Sequence, residues 1–209
     1  LKRIRYTTSH PINMDDELID LHSNNKKLMP FLHLPVQSGS SKILKMMNRK
    51  YDVEFYRDII FKIRDKSPNI EISSDFIIGY PGESEQDFIN TLDLIDDIKF
   101  TQSYSFIYSA RPGTKSAMIE DNLTKKVKSE RLKILQSKLT EIQHDFNKTH
   151  VGKKTSVLIE NQSATNPEYY FGRTPYMQSV YIKSNNLING EEKDIKITSC
   201  NHKSLYGTC

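Results

Sequence analysis

Residues 70–83 read Ile70-Glu71-Ile72-Ser73-Ser74-Asp75-Phe76-Ile77-Ile78-Gly79-Tyr80-Pro81-Gly82-Glu83, and this stretch decides the fold. A β-rich run from Ile70 to Ile78 stops at Gly79, turns at Pro81-Gly82 and enters a helix at Ser84. Ser84 is placed to cap that helix, with Asp87 three residues on as a capping-box acid. Strand, tight turn and helix in this order form half of a parallel α/β unit. The turn lies at the carboxyl end of the strand, where such folds bind ligands. Period two puts Glu71, Ser73 and Asp75 on one strand face and Ile70, Ile72, Ser74, Phe76 and Ile78 on the other. A parallel strand covered on both faces should be apolar on both. Asp75 therefore requires a polar partner, and a ligand is one candidate.

Working outward, residues 2–8 read as a first strand, and a short helix is expected over 15–23. A second strand is expected over 31–37, followed by helices through Ile43, Leu44 and Met47 and over 52–66. The central strand comes next, then a helix over 84–97 and a strand over 101–109. Four strands with helices between them predict a parallel sheet of right-handed β–α units. Four is few for a closed barrel, so the expected fold is α/β, the back half of a larger (β/α) barrel. A long helix over 124–148 follows, capped by Thr124, with Leu132, Leu135, Leu139, Ile142 and Phe146 as its seam. The tail, 149–209, holds short strands over 155–162, 169–183, 194–200 and 204–208. Polar turns are expected at Asn161-Gln162 and Asn189-Gly190, predicting a small antiparallel β-barrel.

Composition narrows the function classes. The 209 residues carry a net charge of +4. Residues 1–124 hold 16 Lys+Arg against 18 Asp+Glu, so the positive excess belongs to the last 85 residues. A polyanion such as nucleic acid is the partner this suggests, although a solvated lysine-rich helix face gives the same count. No run is apolar and long enough to span a membrane, and no signal peptide precedes the first strand, so no membrane partner is expected. The only cysteines are Cys200 and Cys209, which predicts a reducing, cytoplasmic setting. The chain opens on Leu1, almost inside a strand, and is expected to be part of a longer protein. If the polar strand faces share one interior, Ser9, Gln37 and Asp75 converge near its carboxyl-end rim.

Four sequence blocks carry a resemblance. They are 34–40 (LPVQSGS), 46–49 (MMNR), 73–83 (SSDFIIGYPGE) and 106–114 (FIYSARPGT), in this order. Together they resemble the radical S-adenosylmethionine methylthiotransferases, and the tail, with Phe171-Gly172-Arg173-Thr174-Pro175, resembles that family's TRAM barrel. The resemblance covers essentially the whole chain. It implies methylthiolation of carbon 2 of N6-isopentenyladenosine beside the anticodon of a tRNA, begun by reductive cleavage of S-adenosylmethionine. It also implies two [4Fe–4S] clusters, an external electron donor and an amino-terminal part of the same enzyme. By position, the cofactor contacts fall on Gln37, Arg49 and Asp75, with Ser9 beside them. Lys153, Arg173 and Lys183 are the candidate RNA contacts, with Tyr169, Tyr170, Tyr176 and Tyr181 between them.

The family's Cys-x-x-x-Cys-x-x-Cys loop is absent, and so are the three cysteines of its second cluster, so no metal ligand is expected here. The chain by itself is expected to be inactive. Three other readings stand beside this one. The chain is a non-catalytic RNA-binding remnant, a sister enzyme acting on another tRNA base or a ribosomal protein, or an unrelated barrel enzyme binding phosphate at Gly79–Glu83. The basic tail favours tRNA over a basic protein substrate, and Glu83 disfavours phosphate.

Overall fold

The computed structural model of the chain describes residues 1–6, 10–163, 166–184 and 186–209. It divides into two compact units, Leu1–Leu139 and Thr140–Cys209.

The first unit is built on a three-stranded parallel sheet in the order β1 (Phe31–His33), β2 (Glu71–Ile78), β3 (Gln102–Ile107). Helices α2 (Ser41–Met46) and α3 (Val53–Lys66) connect β1 to β2, and α4 (Glu85–Ile98) connects β2 to β3. The expected first strand is not part of this sheet. Among the described residues it is reduced to one parallel bridge, Ile4 to Leu28, and Thr7 and Thr8 lie outside them. Pro30, directly before β1, has no N–H to extend the ladder. The second strand is also shorter than 31–37. Pro35 interrupts it, and pairing resumes in the bridge between Gln37 and Phe76. The carbonyls left over are taken by tyrosines: Tyr56 donates to Leu34 (2.7 Å) and Tyr51 to Val36 (3.1 Å).

One face of the sheet forms the core. Leu32, Leu34, Val36, Ile72, Phe76 and Ile78 are fully buried, together with Tyr56 and Ile63 of α3 and Leu94 and Ile95 of α4. Phe100 meets Phe76 edge-on, with ring centroids 5.2 Å apart. The periodicity of α3 and α4 is the reason these helices form, and both are capped as their sequences dictate. Asp52 accepts from the Phe55 N–H, and Ser84 and Asp87 form the capping box. Helix α1 (Asp16–Asn24) is capped by Asp15 and buries Ile19.

The long helix α5 (Lys125–Lys148) begins at Thr124, whose side chain accepts from the Val127 N–H. Its buried residues differ from the expected seam. Leu135 and Leu139 are buried, but Lys128 and Arg131 are as well, at 6% and 5% exposure. Arg131 donates to Glu83 Oε2 and to Glu85 Oε2, both at 2.7 Å, and lies 5.3 Å over the Phe88 ring.

The second unit is a closed five-stranded barrel in the order β4-β5-β6-β8-β7. The strands are β4 (Lys154–Gln162), β5 (Tyr169–Arg173), β6 (Ser179–Lys183), β7 (Glu192–Cys200) and β8 (Ser204–Thr208). The structure corrects three details of the sequence reading. Asn161-Gln162 belongs to β4, with an irregular register between Ile159 and Asn161, and is not a turn. Residues 169–183 are two strands, because Thr174 accepts the N–H groups of Tyr176 and Gln178 and folds the chain back there. The barrel is not wholly antiparallel, since β6 and β8 pair parallel to close the ring. Val157, Ile159, Val180, Ile182, Ile195, Ile197 and Leu205 fill its interior. Gly172 lets β5 approach β4, for a Cβ there would sit 2.4 Å from the Leu158 carbonyl oxygen. Asn147, at 1% exposure, donates to the Asn201 carbonyl (3.0 Å) and accepts from Gln178 (2.8 Å).

Arg131→Met leaves Glu83 buried without its cation and is expected to cost roughly 3–5 kcal/mol of stability. Chemical denaturation of both chains measures this, and a loss within about 0.5 kcal/mol contradicts the arrangement.

Candidate functional site: the open face of the parallel sheet

The sheet face opposite the core is polar and partly open. Cross-strand register places His33 beside Ser73, and Asp75 beside Tyr104. Tyr104 and Phe106 on this face are 53% and 57% exposed, although both are large and aromatic. This face explains why β2 alternates: only one side is covered by helices, so Glu71, Ser73 and Asp75 need not be apolar. One hydrogen bond and one longer polar approach cross it. His33 Nδ1 lies 2.5 Å from Ser73 Oγ, and His33 Nε2 lies 3.6 Å from Asp75 Oδ2. The Tyr104 ring meets His33 edge-on at 6.3 Å.

His33 was not among the candidate residues. Its signal was its even spacing with Phe31, Pro35 and Gln37 along β1, but that spacing alone does not separate a site residue from a packing one.

Gln37 and Asp75 are brought together. The Gln37 N–H donates to the Asp75 carbonyl (2.9 Å), and the Ile77 N–H donates to the Gln37 carbonyl (2.9 Å). Gln37 has φ 75°, a left-handed conformation that costs a non-glycine residue of order 1 kcal/mol. Arg49 follows α2 and Asn48, which is also left-handed at φ 59°, and its backbone N–H donates to the Leu44 carbonyl. Among the described residues its Nε is buried without a hydrogen-bond partner. A buried guanidinium N–H without an acceptor costs of order 1–3 kcal/mol, which an incoming carboxylate would relieve. Arg49 is near enough to His10 to hold that imidazole's pKa down, in addition to the larger effect of its burial. Ser9 lies outside the described residues.

The turn after β2 is already occupied by a carboxylate of the chain itself. Glu83, 4% exposed, accepts the Gly79 N–H (3.0 Å) as well as Arg131. Burial raises its pKa, and Arg131 and the Gly79 N–H draw it partly back. Gly79 has φ 72°, and a Cβ there would sit 2.7 Å from the Lys128 methylenes. A phosphate at this turn would compete with a carboxylate already in place, so the phosphate-binding reading loses its site. Asp87 is also fully engaged. Burial alone would raise its pKa, but hydrogen bonds from Lys42 (2.8 Å), Ser40 (2.6 Å) and Ser84 outweigh it and hold the carboxyl well below the usual range.

The candidate RNA contacts lie in the barrel unit. Lys153 is exposed. Lys183 reaches Glu168 at 3.6 Å. Arg173 donates to the Met177 carbonyl (3.1 Å), lies 3.8 Å from Glu160 and sits 5.0 Å over the Phe171 ring. The barrel's own groups hold Arg173, unlike the exposed Lys153. Of the tyrosines, Tyr170 points into the barrel core, whereas Tyr181 faces outward.

The residues present do not fit an iron–sulfur cluster. Two cysteines, both in the barrel unit, are fewer than the three thiolates such a loop supplies. Among the described residues no three His, Cys, Asp or Glu side chains gather as metal ligands. Among the described residues, no helix is long and apolar enough to cross a membrane.

Comparisons with known proteins bear on this arrangement. Residues 1–95 match the Radical SAM superfamily, and residues 148–209 match the TRAM domain. The E. coli coproporphyrinogen III oxidase, a radical SAM enzyme, superposes on 79% of this chain and 45% of its own with a TM-score of 0.54. At 16% identity this is a likeness of fold. The amino-terminal part of the chain is thus similar to the radical SAM superfamily, and its carboxyl-terminal part is similar to the TRAM domain. It is 52% identical over 208 residues to proteins of Rickettsia felis and Rickettsia conorii named tRNA-2-methylthio-N(6)-dimethylallyladenosine synthase, and 51% identical to that of Rickettsia bellii. The alignment covers 99% of this chain and 46% of each relative, so the chain spans about half their length and matches their carboxyl-terminal portion.

Burial pushes the Glu71 carboxyl up to about 7, against opposing effects of Arg64 and Thr101. The folded state therefore binds more protons than the unfolded one from about pH 4.5 to 7, and this group's contribution falls as pH rises through that window. Glu71→Gln is expected to raise the thermal midpoint at pH 8 and leave it nearly unchanged at pH 5. An equal offset at both pH values contradicts the assignment.

Proposed function

We propose that the chain is the carboxyl-terminal part of a tRNA methylthiotransferase that acts on carbon 2 of N6-isopentenyladenosine next to the anticodon. The observation that carries this reading is the 52% identity along nearly the whole chain to relatives named for that product. In it, residues 1–123 are the back half of the radical SAM barrel, 124–148 the connecting helix, and 149–209 the RNA-holding TRAM barrel. A tRNA substrate implies a cytoplasmic setting.

S-adenosylmethionine would be held by Gln37, Arg49 and Asp75, with Ser9 beside them, and when bound it supplies the radical chemistry that names the superfamily. Arg49 offers its planar fork, including the Nε that has no acceptor among the described residues, to the cofactor carboxylate. The Asp75 carboxylate accepts from a hydroxyl or amino group, and Gln37, on the neighbouring strand segment, can donate or accept. His33 hydrogen-bonds with Ser73 and its Nε2 lies 3.6 Å from Asp75, which places the imidazole beside the carboxylate. The cluster ligands and the contact with an external electron donor fall to the amino-terminal part of the same enzyme. The barrel's lysines supply phosphate contacts to tRNA. Because the family's cluster cysteines are absent, the 209 residues by themselves would be inactive. That absence also supports a second reading, an RNA-binding remnant without catalysis.

The test joins this chain to the amino-terminal portion of the Rickettsia felis relative and measures 2-methylthio nucleosides in tRNA by mass spectrometry. Product formation is expected, and its absence from a folded, cluster-loaded chimera overturns the enzyme reading. In the same chimera, Arg49→Ala and Asp75→Ala are each expected to weaken S-adenosylmethionine binding by roughly tenfold or more without a change in thermal midpoint. Unchanged affinity in calorimetry removes both residues from the site.

A further inference from the structure

The closed barrel carries a row of aromatic rings on its outer surface. Its core is complete inside the ring of strands, and outward positions are free to be polar. Yet register lines up three outward rings on consecutive strands: Phe171 on β5 opposite Tyr181 on β6, and Tyr181 opposite Tyr206 on β8. Phe171 and Tyr181 meet at 5.5 Å between centroids, and Tyr181 and Tyr206 lie stacked at 5.8 Å with planes 22° apart. All three are partly exposed.

Two residues along each strand, on the same outward side, lies a second row. Tyr169 is opposite Lys183, Lys183 opposite Thr208, Thr208 opposite Lys196, and Lys196 opposite Lys154. Three of its five members are lysines. Lys196 and Lys154 face each other directly, an arrangement that repels, and neither has an ion pair among the described residues. Lys183 has only Glu168 at 3.6 Å, with both side chains more than 60% exposed. Asp194 is the next outward residue of β7 after Lys196.

We propose that this strip of the barrel is a binding surface for single-stranded RNA, with unpaired bases stacking on Phe171, Tyr181 and Tyr206 and phosphates running along Lys183, Lys196 and Lys154. This rests on the RNA-binding role given to the barrel above and assigns it a surface and a strand state. The chemistry on both sides is complementary. Every base has a π-face for an exposed ring, which makes the contact tolerant of sequence, and only unpaired bases can offer it. The rows are two residues apart, roughly 7 Å, the scale that separates a base from its own phosphate. A polyanion along the lysine row also relieves the Lys196–Lys154 repulsion that the free barrel carries. Arg173, held by its own barrel and seated over Phe171, stiffens one end of the ring row and is not needed as a phosphate contact.

The test is fluorescence anisotropy of the full 209-residue chain with a short labelled single-stranded RNA and with the same sequence as a duplex. Single-strand binding at least roughly tenfold tighter than duplex binding is expected. Tyr181→Leu and Tyr206→Leu are each expected to weaken it by roughly 5- to 100-fold, whereas Tyr181→Phe, which keeps the ring, retains affinity. The double variant Lys154→Ala/Lys196→Ala is expected to flatten the salt dependence by about 1–2 units of slope. The chain has eleven tyrosines and no tryptophan, so quenching of tyrosine emission by RNA reports stacking in the unaltered protein, independent of how the variants fold.

No binding to either RNA overturns the RNA-binding role itself. Binding without quenching, with a duplex preference, or with leucine variants of unchanged affinity overturns this surface and leaves that role standing.

Discussion

One buried carboxylate organises the first unit. Glu83 sits at 4% exposure where β2 has just turned into α4, and it binds the Gly79 N–H on the strand side and Arg131 on α5. A charge removed from water is tolerated only with such partners, so the turn, the strand end and the long helix are fixed by a common requirement. The left-handed Gly79 belongs to the same constraint, since the Lys128 methylenes occupy the space a side chain would take. Asp87 repeats the principle one turn later, gathering Ser40, Lys42 and Ser84 and so holding α2 against the start of α4.

With these connections made on the covered side, the opposite face of the sheet is left partly open. Its groups are arranged but under-used. Among the described residues, Asp75 has a histidine at 3.6 Å and Gln37 is held in a left-handed conformation, while Arg49, after α2, has a buried N–H with no acceptor. The left-handed Gln37 and the unmatched Arg49 N–H each cost a little stability. The barrel shows the same contrast in another form. Its interior is saturated with aliphatic side chains, and its exterior carries a ring row and a like-charged lysine pair, of which the pair is unfavourable to folding.

The parts of this structure legible from sequence were those governed by local rules. Helices α3 and α4, their caps, the Gly79–Gly82 turn and the alternation of β2 all follow from periodicity and capping chemistry. So do the start of α5 at Thr124 and most strands of the tail. Where the reading failed, a non-local partner was decisive. Among the described residues the first strand is one bridge, as Pro30 has no N–H to extend the ladder it would have joined, and residues 169–183 split because the Thr174 side chain closes a turn. The seam of α5 was read from its leucines. The buried face includes Lys128 and Arg131, whose burial depends on Asp121 and Glu83 being there to receive them.

The candidate site divides in the same way. Its members Gln37, Arg49 and Asp75 were found by their place in sequence blocks, which record residue type and order. That Gln37 and Asp75 are joined through backbone hydrogen bonds, that Arg49 lacks an acceptor, and that His33 links Ser73 to Asp75 required the folded chain. The sequence by itself determined the local elements, the absence of the family's cluster cysteines and the basic character of the tail, because these depend on composition and near neighbours along the chain. The tertiary structure decided which charges are buried together, which sheet face stays open and which barrel residues line up outward. Strand register and helix packing join residues far apart in sequence, and no spacing rule along the chain encodes those distances.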